Sequence, residues 1–285
     1  MSKIVAMIDG SIYSQSVSEH TAWAAGRLGV TEIELVHVLG RREGPSAPAD
    51  LSGSFSAGMR EELLKELADL DELNAKAAQK RGRMILEEAQ ASLKAKGIET
   101  VAPKLRHGDL IETLAAVETG ADMVVIGKRG SAADFAKMHL GSNLERVVRS
   151  SHVPVLITSR AFKPIKRFLI AFDGGRTALK AVDYVARTAL FSGLECHLLT
   201  VGDRSAEIER NLANAKALLK GGNLQVSVDV IPGQPDRVIA KYVEDVGIDL
   251  LVMGAYSHSR FRHLFLGSTT EETIRNCLIP ALIYR

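Results

Sequence analysis

The chain carries no excess of charge of either sign: 36 lysines and arginines stand against 34 aspartates and glutamates, a formal net charge of +2. A dedicated nucleic-acid surface normally shows a strong basic excess, so that class of partner is not expected. Cysteine is scarce. Cys196 and Cys277 lie in apolar stretches and lack CxxC or Cys/His ligand spacing, so they read as reduced core thiols of a cytoplasmic protein rather than a disulfide framework. No apolar run reaches the roughly 18 residues of a membrane span. The N-terminal run breaks at Asp9, too early for a signal segment. GxxxxGK[ST] is absent, which excludes a Walker-type NTPase, and no GxGxxG follows the first apolar run, which argues against a dinucleotide fold. His258 and His263 are five residues apart, not the four that would put two metal ligands on one helical face. No metal site is expected.

What is present is a repeat. Lys3-Ile-Val-Ala-Met-Ile-Asp9-Gly10-Ser11 is answered by Arg167-Phe-Leu-Ile-Ala-Phe-Asp173-Gly174-Gly175. Residues 35–38 (LVHV) are answered by 198–201 (LLTV), and the segment opening at Gly108 by the one opening at Gly233. Residues 140–157 are answered by 266–283. Four segments in the same order in both halves define an internal duplication. Each half alternates continuous apolar runs, such as 123–126 and 250–253, with stretches of 3.6 periodicity, such as Leu110, Leu114 and Val117. Runs of the first kind suit parallel strands buried on both faces, and the alternation implies right-handed β-α-β units. The predicted fold is therefore α/β, with two tandem open five-stranded parallel sheets covered on both faces. The domains are placed at 1–160 and 161–285, with a linker at 160–166 that contains Pro164. Between its second and third strands the first half holds about 38 extra residues: a Gly/Ser/Pro-rich stretch, Gly40 to Gly58, then a charged helix expected over about Met59 to Lys96. A solvated helix with a flexible loop, and a lid or partner surface, are both open readings of this 40–96 insert.

After the fourth strand of each half comes a glycine loop. The first has Gly127, Lys128, Arg129 and Gly130, ten residues, then Gly141 and Ser142; the second has Gly254, Ala255, Tyr256 and Ser257, nine residues, then Gly267 and Ser268. Ser142 and Ser268 each precede a glutamate by three residues, Glu145 and Glu271. That is the capping-box pattern of a helix N-terminus, where exposed N–H groups and the dipole favour an anion. In open α/β sheets ligands sit beyond the carboxyl ends of the strands, so Asp9, Asp173 and both loops should share one crevice per half. Basic residues in or near the loops, among them Lys128, Arg129 and His258, could balance phosphate charge. A second reading is that the glycines only make turns and the serines only cap. His37 and His197 read as core histidines. Ser14, Ser16 and Ser18 have no evident base and read as solvated residues at a helix N-terminus.

Taken together, the Asp-Gly start, the second strand His37-Val38, the run 121–127 (ADMVVIG) and the closing 153–157 (VPVLI) resemble the universal stress protein family, once per half. The resemblance implies an adenine-nucleotide α-hydrolase-like, Rossmann-like three-layer fold, and ATP as ligand, with Mg as an accompanying option. It implies that Asp9 and Asp173 contact adenine, that Val38 and Val201 offer backbone to it, and that the adjoining Gly10, Ser11 and Gly174 belong to the nucleotide-binding set. Gly127 and Gly130 would lie along ribose and phosphates, with Gly141, Ser142 and Asn143 on the phosphates. The second-half counterparts are Gly254, Ser257, Gly267, Ser268 and Thr269. Both halves depart from the family pattern G-x2-G-x9-G-[S/T]: the first has a ten-residue spacer and the second has Ser257 for a glycine. If that position needs positive φ, a serine is disfavoured there. The resemblance further implies that the strand at 153–158 pairs with the one at 280–284 as an internal pseudo-dimer, with homodimerisation of the whole chain open. A nucleotide-gated stress-response module, a slow ATP hydrolase, and an interaction protein with decayed loops are the three functional readings.

Overall fold

The computed structural model describes residues 2–40, 57–130, 142–255 and 268–285, with the side chains of 57–61, 142, 268 and 269 left aside. The first half runs β1 (Lys3–Met7), α1 (Ser14–Leu28), β2 (Glu32–Leu39), α2 (Ala57–Ala95), β3 (Thr100–His107), α3 (Leu110–Val117), β4 (Ala121–Gly127), α4 (Ser142–Ser150) and β5 (Val155–Thr158). The second half repeats the order: β6 (Arg167–Ala171), α5 (Arg176–Arg187), β7 (Glu195–Val201), α6 (Ala206–Gly221), β8 (Val226–Ile231), α7 (Pro235–Val246), β9 (Leu250–Gly254), α8 (Ser268–Asn276) and β10 (Ala281–Tyr284). A short 3-10 turn, Ala189–Phe191, follows α5.

The strands form a single ten-stranded sheet in the order β3-β2-β1-β4-β5-β10-β9-β6-β7-β8. Within each half all pairings are parallel; the joint between halves, β5 with β10, is antiparallel, with Val155 opposite Ile283, Leu156 opposite Leu282 and Ile157 opposite Ala281. Each half would present β5 or β10 as an unpaired edge, and the joint covers both. The apolar strand runs do what both-face burial demands: Ile4, Val5 and Ala6 of β1, and Leu250, Leu251 and Val252 of β9, have no exposed surface. Alternate residues feed two cores, one on each face, and each contains residues of both halves.

Ser16 Oγ on α1 donates to the Ser159 carbonyl, just past β5 in the same half, at 2.7 Å. Two arginines bridge the halves. The Arg27 guanidinium, also on α1, donates to the carbonyls of Leu190 and Ser192 in the second half, and the Arg285 guanidinium donates to the Arg149 carbonyl at the end of α4. The serines after Asp9 are thus not a solvated set: Ser16 and Ser18 are buried, Ser18 Oγ donates to the Ser14 carbonyl, and Ser14 belongs to the aspartate turn below. At about 100° per residue the two serines lie on opposite flanks of α1, and Ser16 is covered by the chain that follows β5. No helix among the described residues is long and apolar enough to cross a membrane.

Candidate functional site

In each half the strand order reverses direction between the first and fourth strands, β1/β4 and β6/β9. The loops leaving their carboxyl ends must diverge there, which opens a crevice. Asp9 and Asp173 stand at its rim. In the first half Asp9 Oδ1 accepts from Ser11 N at 3.0 Å and from Ser14 Oγ at 3.5 Å, and Ser14 Oγ accepts from Gly10 N at 2.9 Å. In the second, Asp173 Oδ1 accepts from Gly175 N at 2.8 Å. The turn carries the chain through positive φ at Gly10 (75°) and Gly174 (74°), the left-handed region that favours glycine. The carbonyl just before each aspartate is held from the neighbouring strand: His37 Nδ1 donates to Ile8 O at 2.6 Å, and Thr200 Oγ1 donates to Phe172 O at 2.8 Å. His37 is a core histidine, as expected, and its hydrogen bond also orients the aspartate loop. His197 lies elsewhere, half-buried, with Nδ1 3.0 Å from the Tyr242 hydroxyl, which donates to Asp229 at 2.6 Å.

The glycine loops meet the aspartate turns. A Cβ on Gly130 would come within 3.0 Å of Asp9 Oδ2, so Asp9 and Gly130, distant in sequence, are adjacent in space. The φ-based reason for glycine does not apply at this position, because Gly130 is not among the glycines at positive φ; close approach of the carboxylate is what excludes a side chain. A Cβ on Gly127 would lie 2.8 Å from Tyr13 Cβ, and one on Gly254 would lie 2.5 Å from Thr177 Oγ1 and 2.9 Å from Ala178 N. Val201 lines the second-half crevice, and Val38 ends β2 half-buried, opposite Arg106. Ser142, Ser268 and Thr269 begin their helices, with Asn143 exposed on the first turn of α4. Gly141, Ser257, His258 and Gly267 lie outside the described residues. Arg129 is half-buried beside Lys128.

Lys128 does not join the crevice. Its ammonium is buried and donates to the Cys277 carbonyl at 2.6 Å and the Arg275 carbonyl at 3.4 Å, at the end of α8 in the other half. Helix C-termini leave carbonyls unpaired and attract cations, so Lys128 closes that helix rather than waiting for phosphate. Burial lowers its pKa from 10.5 to about 8, with Cys277 opposing and Arg129 adding to the shift. A lysine whose folded pKa lies below its unfolded value penalises the native state while it is protonated there. Stability is therefore expected to rise with pH from about 8 upward, by about 1 kcal/mol between about pH 8 and 9. The gain should be measured below the range in which the buried thiols titrate. Lys128→Met should flatten the rise in a series of urea unfolding curves across that window.

The two crevices differ in the side chains that line them. The second is an open cleft of ≈ 140 Å³, walled by Ala171, Leu199, Val201, Ile239 and Met253, with Asp173, Thr177 and Thr270 supplying polar atoms. A mostly apolar lining with a few polar groups is that of small-molecule sites. Aligned on the aspartates and on the glycines before α4 and α8, the first half has Met7 for Ala171, Tyr13 for Thr177 and Leu144 for Thr270. Each change adds volume, and Met7, Tyr13 and Leu144 are all buried. Met7 and Leu144 pack in one core with Val36, Leu114 and Ile126, and Tyr13 packs against Gly127. At all three positions the first half carries the larger side chain, and residue spacing marks none of them. The first half has an open space of its own between the aspartate turn and α2, lined by Gly10, Ser11, Ser14, Ile85 and Ser92. Asn211 on α6, whose amide lies 3.0 Å from the Cβ position of Gly174, is a further rim residue that no motif marks.

The model of the universal stress protein family matches residues 1–159 and 203–285. Universal stress protein Slr1230 of Synechocystis is 36% identical over 288 aligned residues, covering 100% of both chains. Universal stress protein Mb2019 of Mycobacterium bovis is 24% identical over 99% of this chain and 94% of its own. A crystal structure of a universal stress protein from Archaeoglobus fulgidus superposes with a TM-score of 0.71 at 22% identity, covering 99% of this chain and 95% of that one, which shows a shared fold. On the matched residues and the full-length identity, the chain belongs to the universal stress protein family.

Proposed function

We propose that the chain binds one adenine nucleotide, ATP, in the crevice of its second half, and serves as a nucleotide-gated module of the stress response. The observation that carries this reading is the open, mostly apolar cleft with Asp173 in the second half, where the first half holds the bulkier buried side chains Met7, Tyr13 and Leu144. The cleft walls suit a purine face. Following the family resemblance, Asp173 and the backbone at Val201 would meet the base, and the phosphates would run from Gly254 toward Gly267, Ser268 and Thr269 at the start of α8, where exposed N–H groups and the helix dipole favour anions. The first half, residues 1–160, keeps the aspartate turn but serves as a structural partner to 161–285.

Isothermal titration of the full chain with ATP tests the reading. Saturation at one nucleotide per chain is expected, with Asp173→Ala weakening binding and Asp9→Ala leaving it unchanged. Two equivalent sites would overturn the assignment of binding to the second half alone, and no heat of binding with either ATP or ADP would overturn the nucleotide reading.

A further inference from the structure

The C-terminal part of α2 belongs to the body of the protein: Leu86, Ala89 and Leu93 are buried in the core, with Ile85 against it. Its earlier turns do not. From Leu64 to Ala77 every residue is exposed, and Leu64, Leu67, Leu70 and Leu73 show 54, 49, 55 and 62% of their surface. At 3.6 residues per turn, Leu63, Leu67, Leu70, Asn74 and Ala77 form one stripe, with Leu64 and Leu73 flanking it. A helical stretch of this length is marginal in water without an apolar face to bury, and contiguous exposed leucines mark a contact surface.

The charges on the same stretch identify the occupant. Residues 62–72 hold five carboxylates (Glu62, Glu66, Asp69, Asp71, Glu72) and one lysine; residues 76–83 hold Lys76, Lys80, Arg81 and Arg83 and no carboxylate. The helix dipole does not account for this split, because its influence is confined to the terminal turns and the basic cluster lies in the middle of a 39-residue helix. Two copies of the stretch laid antiparallel would set each acidic segment on the other's basic one. A parallel pair would set like charges together, which is unfavourable.

We propose that the projecting part of α2 is a self-association surface, on which a second copy of this chain docks antiparallel about a two-fold axis near Asn74. That register sets Leu63 against Met84, Leu70 against Ala77 and Glu66 against Lys80 of the second copy. Met84 is itself exposed, so apolar side chains meet at both ends of the pair, and Leu70 meets the small Ala77 near its centre. The interface is isologous and closes as a dimer. It uses no residue of the nucleotide crevice.

Light scattering on the eluted full-length chain should give twice the 30.8 kDa of one chain. Leu67→Glu with Leu70→Glu should return it to one chain with an unchanged thermal midpoint, since both side chains are exposed. Glu66→Lys should weaken the dimer several-fold and adding Lys80→Glu should restore it. Orientation follows from disulfide trapping: Leu67→Cys mixed with Arg81→Cys should cross-link, and Leu67→Cys alone should not. A wild-type monomer, a dimer that survives the double glutamate variant, or trapping by Leu67→Cys alone would each overturn the proposal. The first two would assign the leucine face to some other occupant.

Discussion

Leu282→Lys is expected to destabilise the chain by about 4 kcal/mol or more, against about 3 kcal/mol for Leu282→Ala. Leu282 and its register partner Leu156 face each other across the joint, both without exposed surface. They belong to the core that runs through both halves on the same face of the sheet. Alanine there removes buried methyl groups and leaves a cavity. Lysine adds a charge that has no carboxylate across the pair, because the residues opposite β10 on β5 and β9 are Val155, Leu156, Ile157, Leu251, Val252, Met253 and Gly254. Losing the joint also uncovers two strand edges, which are templates for aggregation. Urea unfolding followed by light scattering measures both consequences. A lysine variant within about 1 kcal/mol of wild type would show that the joint contributes little.

The largest effect on ligand binding is expected from making the second crevice resemble the first. Ala171→Met with Thr177→Tyr places into the open cleft the two larger side chains that stand at these positions in the first half. Nucleotide and side chains cannot occupy one volume, so affinity should fall by at least about a hundredfold, or roughly 2.8 kcal/mol. Folding should not suffer in proportion, because filling an existing void typically stabilises or costs little. Thr177 also touches Gly254, so the tyrosine must lie against that glycine as Tyr13 lies against Gly127. A variant that unfolds at the wild-type urea midpoint yet binds ATP no longer supports the assignment if it also still binds with wild-type affinity. A variant that folds and has lost binding does.

Much of this molecule was legible before any coordinates. Continuous apolar runs can only be strands buried on both faces, and a duplication in fixed order can only be two copies of one fold. The expected pairing of 153–158 with 280–284 appears as Val155–Ile157 on Ala281–Ile283, since two apolar edges in one chain have no better partner than each other. The 40–96 helix was expected over about 59–96 and runs from Ala57 to Ala95. Other features were not legible, for identifiable reasons. Lys128 sits in a glycine loop whose spacing suggests phosphate, but a four-carbon stem can reach either way, and only the packing of the halves brings the end of α8 within its range. Ser16 and Ser18 look solvated until α1 is docked on the sheet.

The sequence by itself determined the repeat, the parallel α/β halves, the two aspartate turns and the places where ligand loops must lie. Those depend on periodicity and on residues near one another in the chain. Tertiary structure decided which side chains meet at each crevice. Met7 and Leu144 are 137 residues apart yet pack in one core, and Asp173 lines one cleft with Met253 and Thr270. The room left between the strands and the helices packed over them is a property of the assembled fold, not of any segment.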